Sequence, residues 1–461
     1  MADLIRMLGF TSRALEAQRF GLDVVGQNIA NVNTPGYTRR VVDLAAVPPV
    51  EPLSAGGGVE VQGVRSLRDL LIDRRLWQEH PEEQRGRATA DALAGVEAAL
   101  GPAGSSIDGA LDSFFDAFAA LADAPTSSTA RQEVILQGQS LASSFRDMSS
   151  HFESAIRETD LRVRGAVDEV NRLTARVASL NAALSGVDPA TGESLQVRDE
   201  LAVAIEELSG LVQVSAVQRT DGGFDIEING GALVVGDRAY ALGVSDRGVT
   251  GVADVTLRDA TITSALRTGT LGGLIETRDA LIPGYQAQLD EIAASVVREV
   301  NAVHRQGFDA NGAAGGDFFV PLAGNAGAAS GLAVEARFSA AGGTDFVAAS
   351  KTGAAGDNGN ARALADLRDA RVVDGNTATF TQAWSNLVYA VGRDSAAAQG
   401  IGDTHGEIVR QIRNLQDSVS GVSLDEEAAD MLRFQRAYEA NARFFRAIDD
   451  TLDILMRTFD A

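Results

Sequence analysis

The sequence contains no cysteine, only four histidines, and aromatic residues amount to 5% of the chain. Without cysteine, disulfides, zinc–thiolate sites, iron–sulfur clusters and thiol nucleophiles are all excluded. The histidines at positions 80, 151, 304 and 405 do not form an H-E-x-x-H pattern. We therefore interpret them as core or surface residues and predict no histidine-based catalytic or metal site.

Long apolar runs and positive net charge are also missing. No run approaches the ~20 residues that a membrane helix requires. Arg6 and Arg13 interrupt the apolar start of the chain, which predicts that no cleaved secretory signal is present. The formal net charge of −23 disfavours nucleic acid and anionic membranes, since like charges repel. We expect neither as a partner.

The remaining candidates for chemistry are weak. Asp309, Asn311 and Asp317 stand among glycines and resemble part of a calcium loop, but the bidentate glutamate of an EF-hand is absent. Neighbouring acids such as Asp449 and Asp450 would point about 100° apart on a helix, which suits a solvated face. We predict no metal, no cofactor and no catalytic residue, and hence a protein that is not an enzyme.

The clearest patterns lie at the two ends of the chain, where apolar residues alternate at steps of three and four. This spacing is typical of supercoiled helices. The N-terminal seam consists of Leu4, Leu8, Thr11, Leu15, Gln18, Leu22, Val25 and Ile29. The C-terminal seam consists of Met431, Phe434, Tyr438, Asn441, Phe445, Ile448, Leu452, Leu455 and Phe459. We predict that the seams pair with each other or with other copies, and that the chain assembles through them.

Local signals accompany both seams. Asn441 is the one polar member of the C-terminal seam, and such a residue commonly fixes register or oligomeric state. Ser423 and Glu426 have the spacing of a capping box. The first helix should end at Ala30, because the following turn contains asparagines, a proline and a glycine.

Between the seams, residues 38–66 read as a β-hairpin linker, and His80-Pro81 predicts a break or kink. Apolar spacing predicts a helix over about 131–184, roughly 75 Å long. The period changes to two over 212–263, with Asn229-Gly230 as a hairpin turn signal. Helix should return at Pro283, in the first turn.

These patterns predict a mainly α fold with an inserted small β domain. The architecture would be elongated, nested and multidomain, with paired N- and C-terminal coiled-coil helices. We expect a terminal assembly domain (1–66 and 412–461), a helical-bundle domain (67–211 and 264–411) and the β domain (212–263).

Two motifs carry a family resemblance. The segment QNIANVNTPGY, with Asn28, Asn31, Thr34, Pro35, Gly36 and Tyr37, closely resembles the N-terminal motif of bacterial flagellar rod and hook proteins. The C-terminal motif of that family resembles the segment SGVSLDEE (420–427) with Phe434-Gln435 and 438–442. Interior motifs look like its hook-associated branch: Arg198-Asp199, Pro283-Gly284-Tyr285, Leu289-Asp290, 300–304 and Gly307-Phe308-Asp309.

The resemblance implies a structural subunit at the junction between hook and filament. It further implies a ring of identical subunits that contacts the hook protein and the next hook-associated junction protein. Export through the flagellar type III apparatus, without a cleaved signal, would place the chain outside the cell. A dedicated export chaperone would hold the C-terminal helix before assembly.

Two departures from the family pattern concern the tip of the molecule and not the assignment, and two alternative functions are kept beside it. Residues 195–197 read Leu-Gln-Val where relatives tend to carry an Asp-Gln pair, and the β region is short, so an outermost domain would be reduced or missing. The chain could be another axial protein, such as a rod or hook subunit. It could also be an axial scaffold with an enzymatic insertion, although residues 212–263 contain no histidine.

Overall fold

The computed structural model describes residues 2–48, 57–102, 104, 106–188, 191–248 and 251–459. The α-helices are α1 (Ala2–Ala30), α2 (Leu70–Leu100), α3 (Ile107–Asp123), α4 (Ser128–Leu184), α5 (Gly192–Leu211), α6 (Gly269–Glu276), α7 (Ile282–His304), α8 (Ala328–Gly331), α9 (Gly359–Asp366), α10 (Phe380–Ser420) and α11 (Leu424–Phe459). Within these ranges, no helix is both long and apolar enough to cross a membrane.

The strands form three small antiparallel sheets. They are β1 (Arg40–Ala46), β2 (Val59–Ser66), β3 (Ser215–Gln218), β4 (Phe224–Ile228), β5 (Gly231–Val235), β6 (Arg238–Ala239), β7 (Leu242–Asp246), β8 (Ala253–Leu257) and β9 (Ala260–Thr261). Helix accounts for 66% of the residues, and the predicted mainly α class with a small β insertion is confirmed.

Helix α4 is the long rod that the apolar spacing predicts. It has 57 residues, which corresponds to about 85 Å. Its buried side chains follow the predicted steps of three and four, and Thr159 bonds back to the Ala155 carbonyl at 2.7 Å. The first half of α4 packs into one hydrophobic core with α3, α7, α9 and α10. Its second half packs into another core with α5, α6 and the strands β4, β5, β7 and β8.

The hairpins follow their turn chemistry. Asn229 and Gly230 both have positive φ, 47° and 77°, and form the two-residue turn between β4 and β5. Strands β1 and β2 pair from Arg40–Ser66 to Ala46–Val59, as the sequence predicts for the linker. A bulge lies between Asp43 and Leu44.

The predicted break at His80-Pro81 is wrong. Helix α2 continues from Leu70 through Pro81 to Leu100. Tertiary packing overrides the local signal, because α2 lies against α10, α5 and α6. Pro81 itself is buried, and the His80 ring lies 3.2 Å from the Glu206 carbonyl.

The predicted helix start at Pro283 is confirmed to within one residue, because α7 begins at Ile282 with Pro283 in its first turn and ends at His304. Helix α6 begins at Gly269 and passes through a π-helical segment, Thr277–Leu281, directly into α7. A wider π turn just before Pro283 accommodates a residue that has no N–H and whose ring crowds the preceding turn. The sequence signal therefore marks the start of α7, which follows the π segment within a longer helical path.

The π segment buries Arg278, whose side chain has no exposed surface. The Arg278 guanidinium donates to Asp160 of α4 at 2.6 Å and to Asp279 at 2.8 Å. Asp160 also accepts from the Ala253 N–H of β8 at 2.9 Å. This cluster therefore connects the long helix, the π segment and the inserted strands.

Candidate assembly site

The two terminal helices pair within the chain. Asn28 of α1 contacts Glu427 of α11, Gly21 contacts Phe434, and the Phe10 and Phe444 ring centroids lie 6.0 Å apart. Residue numbers rise along α1 as they fall along α11, so the helices are antiparallel.

Apart from Phe10, the face of α1 that touches α11 carries mostly small residues. A Cβ placed on Gly21 would lie 2.5 Å from the Phe434 ring, so the aromatic side chain fills the space that glycine leaves. The buried positions of α1 are Thr11, Ala14, Ala17, Gly21, Val24, Val25 and Asn28. We refer to them as the small-residue face. It lets the two backbones approach closely.

The N-terminal seam only partly coincides with this face. Val25 and Thr11 are buried in it. The remaining members, Leu4, Leu8, Leu15, Gln18, Leu22 and Ile29, are half-buried on its flank. The assembly role of the seam stays a prediction.

The C-terminal seam lies mostly on the covered side of α11. Ile448 is buried, and Met431, Phe434, Asn441, Phe445, Leu452 and Leu455 are half-buried. Tyr438 departs from the predicted position because 40% of it is exposed, while Ala437, one residue earlier, is half-buried. The side chain of Phe459 lies outside the described residues.

Asn28, the second residue of the QNIANVNTPGY motif, is 1% exposed and uses its whole amide. Its Nδ2 donates to the Arg40 carbonyl and to Glu427 Oε2, both at 2.9 Å. Its Oδ1 accepts from the Tyr37 hydroxyl at 2.9 Å and from the Arg40 N–H at 3.0 Å. Two donor and two acceptor positions are all satisfied, as burial demands.

Glu427 is the buried charge on the opposite helix, also 1% exposed. Its Oε1 accepts from Arg39 Nε at 2.6 Å. Arg39 also donates to Glu426 at 2.8 Å and to Asp430 at 3.1 Å. Glu426 is therefore engaged with Arg39 and not in the predicted capping box, because the ion pair across the helices outcompetes the local bond.

A second carboxylate, Asp199 of α5, joins this cluster from the body of the protein. It accepts from the Thr38 hydroxyl at 2.7 Å, Arg68 at 3.1 Å and Arg40 at 3.4 Å. The Arg40 guanidinium also stacks on the Tyr37 ring, 4.8 Å from its centroid. We call Asn28, Tyr37, Arg39, Arg40, Asp199 and Glu427 the polar node.

Burial raises the pKa of Tyr37, and the carboxylates of Asp199 and Glu427 raise it further against the opposing effect of Arg40. The Tyr37 hydroxyl therefore remains protonated at neutral pH and can donate to Asn28. The node consequently has a fixed pattern of donors and acceptors.

The turn of the family motif precedes the node. The Asn31 amide donates to the Gln27 carbonyl at 2.9 Å, and the Thr34 hydroxyl donates to Asn31 Oδ1 at 3.1 Å. Gly36 has φ of 76°, and a Cβ at this position would collide with Val203 of α5. Gln27, Asn31, Thr34 and Pro35 line an open cleft of about 850 Å³ beside α5.

The interior motif residues hold a long loop. Asp290 accepts from the Gly327 and Ala329 N–H groups at 2.8 and 2.9 Å. Asn301 accepts from the Phe318 and Phe319 N–H groups, both at 2.9 Å. The side chains of Asp290 and Asn301 therefore hold residues 318–329 against α7 through these bonds.

His304 and Asp309 continue this pattern. His304 Nδ1 lies 2.7 Å from the Gly316 carbonyl, and its Nε2 accepts from the Ala348 N–H at 3.0 Å. Asp309 accepts from the Asn311 and Ala313 N–H groups at 2.8 and 2.9 Å. These bonds fold the segment that resembled part of a calcium loop into a turn.

Sequence reasoning did not identify Arg39, Arg40, Asp199 and Glu427 as site residues, although all four stand inside or just after quoted motifs. The available signal was charge. Two adjacent arginines follow the N-terminal motif, and the C-terminal motif carries three consecutive acids.

Three family models match successive parts of this chain. The description "Flagellar hook-associated protein FlgK helical domain" covers residues 93–319. "Flagella basal body rod protein" covers 8–38, and "Flagellar basal body rod FlgEFG protein C-terminal" covers 417–458. The last two matches contain the node residues of α1, α11 and the family turn.

Similarity to curated proteins extends over nearly the whole chain. It is 27% identical to flagellar hook-associated protein 1 of Bacillus subtilis (strain 168), over 96% of both chains. It is 26% identical to the protein of the same name from Escherichia coli (strain K12), over 96% of this chain and 97% of the other.

A solved structure supports the same fold. The flagellar hook junction protein FlgK from Burkholderia pseudomallei matches with a TM-score of 0.65 and 16% identity, over 75% of this chain and all of that chain. Motifs, family models, full-length relatives and fold agree, and this chain belongs to the flagellar hook-associated protein 1 (FlgK) family of flagellar structural proteins.

Proposed function

We propose that this chain is a structural subunit of the bacterial flagellum that joins the hook to the filament and assembles through its terminal helices. The observation that carries the proposal is the polar node. A buried hydrogen bond between Asn28 and Glu427, and ion pairs between Arg39 and α11, bring both ends of the chain into one unit. Such a unit can be added to a growing axial structure as one piece.

The finer assignments are part of the proposal. Identical subunits form a ring that contacts the hook protein on one side and the next hook-associated junction protein on the other. The chain is exported through the type III apparatus without a cleaved signal and works outside the cell. Before export, a chaperone holds α11, which within the chain packs almost entirely on α1.

We also propose a non-catalytic role. The acids of the inserted strands are paired with arginines: Asp221 and Asp225 with Arg219, and Asp254 with Arg247. Paired carboxylates of this kind suit a structural surface. The three-domain division remains part of the proposal, with the start of its last segment moved from 412 to Gly421, because α10 runs unbroken to Ser420.

A single cysteine can locate the protein on cells. Lys351 is exposed, and the chain has no other cysteine to react. We expect Lys351→Cys, treated with a membrane-impermeant maleimide dye, to give one labelled zone between hook and filament. Label along the whole hook would favour a hook subunit, and no label on intact flagella would contradict the proposal.

Deleting residues 424–461 tests the assembly route. We expect the truncated chain to keep the helical content of its body, because α11 packs mainly on α1. Incorporation and swimming should be lost. A truncated protein that still enters flagella and supports swimming would refute assembly through the terminal helices.

A further inference from the structure

We propose that an amphipathic helix of a different axial protein, with an acidic side chain beside its apolar stripe, docks in an open groove between α2 and α10. The proposal rests on the proposed function and names the kind of partner that the body of this chain meets. The groove, which we call the α2–α10 groove, is bordered by Leu71 and Arg75 of α2 and by Ile408, Leu415, Val419 and Val422 at the end of α10.

The apolar side chains of the groove include three that are exposed in the isolated chain. Leu71 is 74% exposed, the largest fraction of any large apolar side chain in the described ranges. Leu415 is 47% exposed and Val419 is 42% exposed. Exposed large apolar side chains gathered at one place indicate a contact with another molecule.

Leu71 and Leu415 stand at the same level of the antiparallel pair that α2 and α10 form. Gln416 of α10 donates to Asp73 of α2 at 2.7 Å, which fixes this level. Between the two helices lies a small core of Ile72, Leu76, Val409 and Ile412. The two exposed leucines are therefore neighbours beside this core.

Both leucines lie on the side of the pair that faces away from α5. His80 of α2 and Arg413 of α10 both meet Glu206 of α5, at 3.2 and 2.8 Å. At about 100° per residue, Leu71 lies about 180° around α2 from His80. Leu415 lies about 160° around α10 from Arg413. The groove is therefore on the open side of the pair, opposite the helix that covers it.

The spacing along α10 suits a docked helix. Ile401, Ile408, Leu415 and Val422 recur every seven residues, along α10 and just beyond its end. This is the spacing of a seam into which a neighbouring helix packs. A helix in the groove would run along α10 and add a third member to an existing helix pair.

Charge indicates an acidic occupant. Arg75 is exposed and forms no ion pair with any described residue. The acids that border the groove, Glu82 and Glu407, are already paired with Arg85 at 3.0 Å and with Arg410 at 2.7 Å. The groove therefore carries an uncompensated positive charge, although the chain has a formal net charge of −23.

A carboxylate on the docked helix would pair with Arg75 and fix the position of that helix along the groove. Two copies of this chain meeting face to face across the groove would instead bring Arg75 against itself. A different protein with an acidic flank is therefore the better match.

Site-specific photocross-linking in isolated flagella tests the proposal. Leu71→p-benzoylphenylalanine and Leu415→p-benzoylphenylalanine place the photoreactive group in the groove of the full-length chain. Leu161, which is 68% exposed on α4, takes the same replacement as the matched control. We expect cross-linking from the groove to be at least fivefold stronger than from Leu161. Mass spectrometry should identify the attached peptide as a segment of a different axial protein, with Asp or Glu beside an apolar stripe.

A charge reversal tests the acidic flank separately. We expect Arg75→Glu to lower the cross-linking from Leu415 at least tenfold, because the new carboxylate repels that of the partner. Arg157→Glu is the matched control, because the Arg157 side chain is 65% exposed on α4. It should leave the cross-linking unchanged. Circular dichroism should show the same helical content in both variants.

A cross-linked peptide from a second copy of this chain would overturn the proposal. Cross-linking from the groove no stronger than from Leu161, or equal in Arg75→Glu and the wild type, would also overturn it. Val419→p-benzoylphenylalanine repeats the measurement if a leucine variant does not enter flagella.

These outcomes leave the proposed function intact if the maleimide label still marks the hook–filament junction. A label elsewhere on the flagellum, with the cross-link to a different protein preserved, would count against the proposed function alone.

Discussion

The Phe434 ring of α11 lies directly against Gly21 of α1. A methyl group on Gly21 would lie 2.5 Å from the Phe434 ring. We expect Gly21→Ala to force the helices apart and lower the free energy of unfolding of the terminal pair by about 1–3 kcal/mol. Hydrogen exchange of α11 backbone amides would measure this as faster exchange.

Gly26→Ala is the matched control on the same helix, because a Cβ there meets nothing within 4 Å. It should slow exchange slightly, since replacing an exposed helical glycine by alanine gains roughly 0.5–1 kcal/mol. Equal effects of the two substitutions would show that the Gly21 contact does not limit packing.

The polar node should respond strongly to a change of one atom. Asn28→Asp removes the two N–H donors and places a carboxylate beside the buried Glu427 Oε2, now 2.9 Å from Nδ2. We expect a loss of roughly 3–5 kcal/mol from terminal pairing, as for other uncompensated buried charges. Protease digestion should then remove α11 faster than in the wild type.

Asn31→Asp serves as the comparison, because the Asn31 side chain makes a surface-exposed hydrogen bond to its own helix. Its digestion rate should stay close to that of the wild type. Resistance of Asn28→Asp to protease would mean that the node rearranges around the new charge.

His304 predicts a specific acid sensitivity. Because Nε2 accepts from the Ala348 N–H, the proton sits on Nδ1 and the buried ring is neutral. Burial lowers the pKa of His304 to about 4, against about 6.5 in an unfolded chain. The unfolded chain therefore binds the proton first as pH falls. This contribution to stability is complete above pH 6.5 and is lost toward pH 4, by roughly 3 kcal/mol.

The measurement is urea denaturation between pH 7 and pH 4. His304→Gln should be less stable at pH 7 but should lose less stability over this range. His151→Gln, at an exposed position, should keep the pH dependence of the wild type. Parallel curves for all three proteins would contradict the assignment to His304.

Arg278 should be essential for the junction between the π segment and the inserted strands. Burial alone would raise the pKa of Asp160, but bonds from the Ala253 N–H, Arg164 and Arg278 hold it below its ordinary value. Arg278→Met leaves a buried carboxylate with fewer partners, which should cost roughly 3–5 kcal/mol in unfolding free energy.

Arg298→Met provides the comparison, because Arg298 is about half exposed and pairs with its neighbour Glu299. It should change stability by less than about 1 kcal/mol. If urea denaturation shows similar losses for both variants, the buried cluster does not hold the strands to α4.

The features that sequence predicted best depend on local chemistry. The buried positions of α4 follow its apolar spacing, and the Asn229-Gly230 turn follows from two residues that tolerate positive φ. In both cases the preference of the nearby chain and the tertiary structure agree.

The terminal contact could not be predicted in the same detail. Large apolar residues dominate a periodic pattern, so the predicted contact surface of α1 was its row of leucines. In the structure, α11 packs on the alanines and Gly21 of α1 instead. Which stripe meets a partner depends on how closely two backbones approach, and no spacing encodes that distance. The same limit explains why Ala437 and not Tyr438 lies on the covered side of α11.

The polar node could not be predicted from the sequence for a different reason. Arg39 and Glu427 are 388 positions apart, and single-sequence patterns carry no information on such pairs. Pro81 shows the opposite error, in which a strong local signal yields to tertiary packing.

The unbroken course of α4 through both hydrophobic cores has a mechanical consequence. A structure that transmits rotation from a motor loads its parts in shear, and flexible connections between domains would absorb the twist as deformation. Here one continuous helix, with each residue held by its own backbone hydrogen bonds, spans the boundary between the two cores. A twist applied across that boundary would be carried along a stiff rod, and relative sliding of the cores would require α4 itself to bend.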